Sequence, residues 1–225
     1  MNTRVGRSLL LTFAAALLLA GALLTPALGA DFCHLLDKFP ATGQTTCWDS
    51  GGNVIACAGT GHDGDIQAGA TLRYRDNGNG TITDKNTLLT WAKKNNLNDT
   101  EDLSNLHDAD NSYTWDDAFA VHVAGLNAAN FAGRDDWRLP NVRELRSIID
   151  YEAFNPAVDP VFDNNCSATC TVLTCSCTAT PDYWSSSTFA KIPTSAWDVS
   201  FTVGASDGEP KSDSRFVRAV RGGCR

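Results

Sequence analysis

The sequence predicts an α+β domain in which short antiparallel sheets, two helices and long disulfide-stapled loops form one core. Segments with strand-like alternation occur before and after a central pair of helical segments, instead of alternating with helices one by one. Asn-Gly sequences separate the first two strand segments. The 8 cysteines supply the crosslinks. A chain of 225 residues, 43% of them apolar, is large enough for one core behind an export signal.

Residues 1–30 have the pattern of an export signal. Arg4 and Arg7 precede an apolar run over 9–24, and Ala27 and Gly29 supply the small residues that leader cleavage requires. A retained anchor helix is the alternative, although the run is shorter than the about 20 apolar residues that span a bilayer. We therefore expect a secreted or periplasmic protein with no membrane span after signal cleavage.

The charge balance is acidic and limits the partners. The full chain has a formal net charge of −8, and loss of Arg4 and Arg7 with the leader changes this to −10. A like-charged field repels nucleic acid and anionic lipid before contact forms. We predict no nucleic-acid partner.

The cysteines fall into two groups, and both are predicted to form disulfides in an oxidising compartment. The first group would tie the chain ends together, and the second crowds into the polar loop 163–181. A four-thiolate metal site is the alternative for the second group, but its spacing differs from paired Cys-x-x-Cys knuckles. The groups are Cys33, Cys47, Cys57 and Cys224, and then Cys166, Cys170, Cys175 and Cys177.

The chain after the leader divides into a Cys- and Gly-rich lead-in, 31–70, and a domain, 71–225. The domain begins with a predicted hairpin: Leu72 and Tyr74 alternate with arginines, and Asn-Gly turns lead to a strand at 81–83. The turn also resembles a calcium loop, but it lacks the EF-hand ligand pattern. A further strand is expected at 88–91.

Two helices follow in the sequence. Thr114 with Asp117 resembles a capping box, and the apolar residues after it recur at helical spacing. Asn141 with Glu144 repeats the signal before a second helix. His122 falls on the apolar stripe of the first helix, and we expect it to be a hydrogen-bonded core residue. Beyond the Cys-rich loop, the alternation over 197–203 predicts a half-buried strand, and 215–221 is the last strand expected.

Six motifs occur in order at 76–84, 114–115, 136–141 with 144–145, 183–186, 196–197 and 216–221. Together they resemble the Legionella collagen-like protein (Lcl) C-terminal domain family. The resemblance implies a C-type lectin-like fold, related to the formylglycine-generating sulfatase-modifying enzymes, and adhesion to sulfated polysaccharides. Where the family commonly has Gly at the start of the strand after the hairpin, this chain has Leu88.

An acidic segment, 98–117, is the candidate cation site. It contains seven carboxylates and no Lys or Arg, a density that repels itself unless it is solvated or neutralised. Ca²⁺ prefers oxygen ligands, so we predict Asp102, Asp108 and Asp110 as calcium ligands. A solvated loop before a helix whose dipole favours acidic residues is the alternative. Calcium is the one cofactor that the sequence suggests.

The loop 204–214 is the candidate ligand site, since it is polar and lies where the family's fold presents ligands. Sugar-binding C-type lectins use Glu-Pro-Asn, but this chain has Lys211 in place of the Asn, so calcium-dependent sugar binding is not carried over. The predicted ligand-binding residues are Trp197, Asp207, Glu209 and Lys211.

The sequence shows no nucleophile elbow, zinc-protease motif or phosphate loop, so we predict no enzyme. We expect a recognition or surface-interaction module that binds a carbohydrate or protein outside the cytoplasm through the loops 98–113, 163–181 and 204–214. The oligomeric state is left open. The alternatives are a redox or copper enzyme using Cys175 and Cys177, or a structural component of an extracellular assembly.

The net charge argues against the sulfated ligands that the resemblance implies. A local basic patch would restore them if certain cationic side chains are exposed together. The candidates are Arg134, Arg143, Arg146, Lys191 and Lys211.

Overall fold

A computed structural model of the chain describes residues 39–223. The predicted leader, Cys33 and Cys224 lie outside the described residues. Within them, no helix is both long and apolar enough to cross a membrane.

The described chain contains a lead-in followed by two larger sheets and their helices. The lead-in has strands β1 Cys47–Trp48 and β2 Val54–Ile55 and helix α1 Asp63–Ile66. The first half of the domain has β3 Tyr74–Asp76, β4 Thr81–Asp84, β5 Leu89–Ala92 and β6 Ser112–Tyr113. Helix α2 joins the segments Trp115–Asp117, the π-helical Ala118–Val123 and Ala124–Ala128; a 3₁₀ turn at Phe131–Gly133 and helix α3 Val142–Arg146 follow. The last strands are β7 Asp182–Thr188, β8 Ser195–Ser200, β9 Ser206–Pro210, β10 Arg215–Phe216 and β11 Val220–Gly222.

The strands form a two-stranded sheet β1-β2, a four-stranded sheet β11-β5-β4-β3 and a five-stranded sheet β6-β10-β7-β8-β9. These pairs are antiparallel apart from β10 with β7, which is parallel. The predicted mixture of short sheets, few helices and disulfide-closed loops is confirmed. The C-type lectin-like fold stays a prediction.

Both predicted helix starts are confirmed. The Thr114 hydroxyl accepts a hydrogen bond from the Asp117 N–H, and Asn141 forms a complete capping box with Glu144. His122 is 1% exposed, as expected of a core residue. The expected hydrogen bond is wrong, because neither ring nitrogen has a partner among residues 39–223.

The five-stranded sheet is covered on both faces. Successive residues of a strand point to opposite faces, so Tyr183 packs in the cluster that contains Leu145, and Trp184 packs in the cluster that contains Ala118. The predicted half-buried strand is therefore buried on both sides over β8, where even Asp198 is only 3% exposed.

The predicted last strand, 215–221, is wrong as one element. It divides into β10 in the five-stranded sheet and β11 in the four-stranded sheet. The crossing segment between them carries Arg218, whose side chain is fully buried. Its guanidinium donates to the carbonyl oxygens of Ala92 and Cys177 and to the Thr178 hydroxyl. This crossing joins the two sheets to the Cys-rich loop.

Three disulfides are present among the described residues: Cys47–Cys57, Cys166–Cys177 and Cys170–Cys175. The prediction of a surface loop at 163–181 is wrong for its second half. Cys175 and Cys177 have no exposed area and pack against Ala109. Disulfides and apolar packing therefore both hold the part of the loop that enters the core.

Candidate functional site

A cleft of about 500 Å³ lies on the outer face of the four-stranded sheet. Its floor follows from strand register: Arg75 pairs with Thr83, Thr83 with Thr90, and Thr90 with Arg221. Residues directly opposite each other in antiparallel strands share one face. These four side chains therefore form a row across β3, β4, β5 and β11, with an arginine at each end.

The inner face of the same sheet explains why the row faces outward. Tyr74, Ile82, Trp91 and Val220 alternate with the residues of the row and pack in the main core. A shift of register by one residue would place arginines in the core, so burial of the apolar set fixes the cleft floor.

Polar side chains on the floor hold one another in place. The Asn77 side-chain amide donates to the hydroxyls of Thr81 and Thr83, at 2.9 Å each. The Asn77 oxygen accepts from the Arg75 Nε atom at 3.0 Å. The Thr81 hydroxyl donates to the Asn79 side-chain oxygen at 2.7 Å. The floor is thus a fixed network of hydroxyl and amide groups beside a guanidinium.

The wall of the cleft that faces the sheet comes from the segment after α2. Trp137 is 2% exposed, and Asn127 bonds to both its backbone N–H and its carbonyl oxygen. The Trp137 indole N–H donates to the Phe131 carbonyl oxygen at 3.0 Å. This anchored segment brings the exposed Arg134 to the cleft opposite the sheet.

The cleft is basic in an acidic protein. Lys93 is buried and paired with Asp76 at 2.8 Å, and Arg221 is paired with Asp136, so these four charges cancel in pairs. Among residues 39–223, Arg75 and Arg134 form no ion pair. Two uncompensated guanidiniums therefore face the cleft, which favours an anionic ligand.

The predicted calcium ligands do not converge in the structure. Among the described residues, the only set of three or more ligand atoms from His, Cys, Asp or Glu that lie within 4.8 Å of one another belongs to cysteines of the Cys-rich loop. Asp102 accepts hydrogen bonds from Ser104, and Asp110 from backbone N–H groups at 98 and 100. Asp108 is fully buried. Each carboxylate is occupied in folding its own loop.

The predicted ligand-binding residues divide between two faces of the five-stranded sheet. Trp197 pairs with Gly208 and packs edge-on against Phe189, whereas Asp207 and Glu209 occupy the alternate positions of β9. Glu209 lies 3.3 Å from Arg215 in an ion pair, and Lys211 lies 3.8 Å from the Trp115 ring centroid. The four residues therefore do not line one site.

Arg215 is the centre of a second charged cluster. Its guanidinium lies within 3.3–3.8 Å of carboxylate oxygens from four acidic residues. Burial raises the pKa of Asp198 to about 6, and the charge of Asp182 adds to that effect against the opposing hydrogen bond from Arg215. The four carboxylates belong to Asp182, Asp198, Glu209 and Asp213.

Of the predicted basic patch, only Arg134 lines the basic cleft; its partners there, Arg75 and Arg221, were missed. A signal existed at Arg75, which alternates with apolar neighbours and so had to face solvent. No local signal places Arg221 in the same row, because that placement depends on pairing between β11 and β5.

These features define a disulfide-bonded, mixed α/β domain with a basic cleft on an open sheet face. The family model of the Lcl C-terminal domain matches residues 80–221, and the chain belongs to that family. The matched region includes Arg134 and Arg221 and begins after Arg75. A comparison with curated proteins found no match.

Proposed function

We propose that the protein is an exported, non-enzymatic recognition module that binds an acidic carbohydrate in the basic cleft. The single observation that carries the proposal is the row Arg75, Thr83, Thr90 and Arg221, faced by Arg134 across a cleft of about 500 Å³. Guanidiniums bind carboxylate and sulfate-like oxyanions, and neighbouring hydroxyl and amide groups suit the hydroxyls of a sugar.

The local charge of the cleft is opposite in sign to the net charge of the chain. The net charge, −8 for the full chain and −10 without the leader, opposes long-range attraction of a polyanion, while the uncompensated Arg75 and Arg134 favour binding at short range. Sulfated polysaccharides, the ligand class that the family resemblance implies, are polyanions, so the charge of the cleft favours them as well. The binding surface proposed here is the outer face of the four-stranded sheet, instead of the loops 98–113, 163–181 and 204–214 that were predicted from the sequence.

The cysteine pairing supports a non-enzymatic role. Cys175 and Cys177 are each bonded to another cysteine, and no free cysteine occurs among residues 39–223. The leader-like residues 1–30 and the disulfides support export to an oxidising compartment.

Binding is tested with a heparin oligosaccharide, an oligogalacturonate and a neutral dextran oligosaccharide, measured by calorimetry at low and high salt. We expect the two acidic probes to bind, with affinity falling as salt rises, and the neutral probe not to bind. The double variant R75Q/R134Q should abolish binding.

The matched control is R143Q/K191Q, which removes the same charge from exposed positions outside the cleft. It should retain most of the affinity. Equal loss in both double variants, or equal binding of the neutral probe, would overturn the proposal, because the attraction would then be non-specific or not electrostatic.

A further inference from the structure

Asp136 and Arg221 form an ion pair beside the basic cleft. The Arg221 Nε atom lies 2.6 Å from Asp136 Oδ1, and its Nη2 atom lies 3.1 Å from Oδ2. Two parallel hydrogen bonds from one guanidinium are the geometry with which arginine binds an external carboxylate or phosphate-like group. Asp136 thus presents to Arg221 the kind of group that an acidic ligand would bring.

A neighbouring pair shows how a structural arginine is held in this domain. Arg138 binds Glu144 through two bonds of 2.7 Å, and it also donates to the Gly222 carbonyl oxygen. Glu144 in turn accepts from the Asn141 N–H in the capping box of α3. Removing Glu144 would leave the Asn141 N–H without this acceptor, and removing Arg138 would leave the Gly222 carbonyl oxygen without this donor.

The Asp136–Arg221 pair lacks such connections. Among residues 39–223, neither side chain hydrogen-bonds to a third residue. The side chains are 48% and 20% exposed, so solvent reaches both. Ion pairs that water reaches contribute little to folding, and opening this one deprives no third residue of a hydrogen bond.

The carboxylate also lies in the field of a second guanidinium of the cleft. The hydrogen bond from Arg221 lowers the pKa of Asp136 below its ordinary value, and the charge of Arg134 adds to the effect. Asp136 therefore remains an anion that is stabilised by the charges of two of the three arginines that line the cleft.

We propose that Asp136 is an internal competitor for the cleft, whose carboxylate holds Arg221 in the free protein and releases it to the acidic group of a ligand. The inference rests on the proposed function and adds the regulation of that site. Binding exchanges one anion for another at Arg221, so Asp136 sets the affinity while Arg75 and Arg134 provide the attraction.

The test compares D136N with D135N. Both remove one negative charge from adjacent exposed positions, but only the first frees Arg221. With the heparin oligosaccharide and the oligogalacturonate as probes, D136N should lower Kd by about two- to fivefold, the range that an exposed ion pair corresponds to. D135N should lower Kd by less, and thermal melting of both variants shows whether each is folded.

A second readout uses the wild-type protein and does not depend on the variants. The ¹H–¹⁵N resonance of the Arg221 Nε–H should shift on titration with either probe, and should already be shifted in free D136N. If the probes bind and Arg221 does not respond, or if D136N only lowers the melting temperature with Kd equal to that of D135N, the competitor role is wrong and the pair is structural. If no probe binds any of the proteins, the proposed function and this inference both fall.

Discussion

The Arg218 Nη2 atom donates a hydrogen bond of 2.6 Å to the carbonyl oxygen of Cys177, so a buried guanidinium holds the Cys-rich loop against the junction of the two larger sheets. Nη1 donates to the Ala92 carbonyl oxygen at 3.2 Å, and Nη2 also donates to the Thr178 hydroxyl at 2.8 Å. One side chain therefore satisfies acceptors from β5 and from the loop, in a region that solvent does not reach.

Replacing Arg218 with Met should destabilise the protein by about 2–3 kcal/mol, because buried carbonyl and hydroxyl acceptors lose their donor. The free energy of unfolding is measured by chemical denaturation. Arg143→Met, at an exposed position, is the control and should change stability by less than about 0.5 kcal/mol. A loss of less than about 1 kcal/mol in R218M would mean that the loop is held mainly by its disulfides.

Leu88 is the site of a predicted stabilising change. It has φ +59°, in the left-handed region that costs a non-glycine residue about 1–2 kcal/mol, and its side chain is 37% exposed. Leu88→Gly should therefore raise stability by up to about 1 kcal/mol, since relief of strain exceeds the entropy that glycine costs. The measurement is the thermal midpoint, with an increase of roughly 2–4 °C.

Leu88→Ala separates strain from packing. It shortens the side chain but keeps a Cβ atom at positive φ, so it should be less stable than the wild-type protein. If L88G proves no more stable than L88A, side-chain packing rather than backbone conformation governs this position.

Local signals allowed the helices and the hairpin to be predicted. Thr114, Asn141 and the Asn-Gly turns act within a few residues, and each has the expected role in the structure. The positive φ of Leu88 was not predicted, although the family's glycine at this position is a signal for it, because glycine adopts such a backbone without strain.

The cleft was not predicted, for a physical reason. Its row of side chains requires β11 to pair with β5, a contact between distant parts of the chain that no local pattern encodes. The burial of Arg218 depends equally on distant carbonyl groups. The composition of the loops led instead to predicted binding sites at 98–113 and 204–214. There the carboxylates accept hydrogen bonds from backbone N–H groups of the same loop or pair with Arg215.

Asp198→Asn should change how stability depends on pH. The folded-state pKa of Asp198 is raised to about 6, chiefly by burial, so the wild-type protein loses stability as pH rises from about 4 through 6 while this carboxyl ionises. The variant lacks that loss. Its stability relative to wild type should increase over this range by up to about 2 kcal/mol.

Denaturation is measured at several pH values between 4 and 8. Asp207→Asn, at the exposed position that pairs with Asp198 in β9, is the matched control and should run parallel to the wild-type protein. A constant difference between D198N and wild type across the range would show that Asp198 ionises normally in the folded protein.

His107 gives a pH dependence of the opposite sign. Its ring packs against Phe131 with centroids 4.2 Å apart, and its Nδ1 lies 3.3 Å from the Lys93 carbonyl oxygen. Burial lowers the pKa of His107 to about 4, and the charge of Lys94 adds to the effect. The folded state therefore binds fewer protons than the unfolded state below about pH 6.5, and stability falls as pH drops from there to about 4.

His107→Gln should flatten this decline by about 2–3 kcal/mol between pH 7 and 4, because glutamine does not titrate. The slopes are compared rather than the absolute stabilities, since the variant also loses the contact with Phe131. His62→Gln, at an exposed position, should keep the wild-type slope. Parallel slopes for H107Q and wild type would mean that His107 is protonated in the fold without cost, and that the acid sensitivity lies elsewhere.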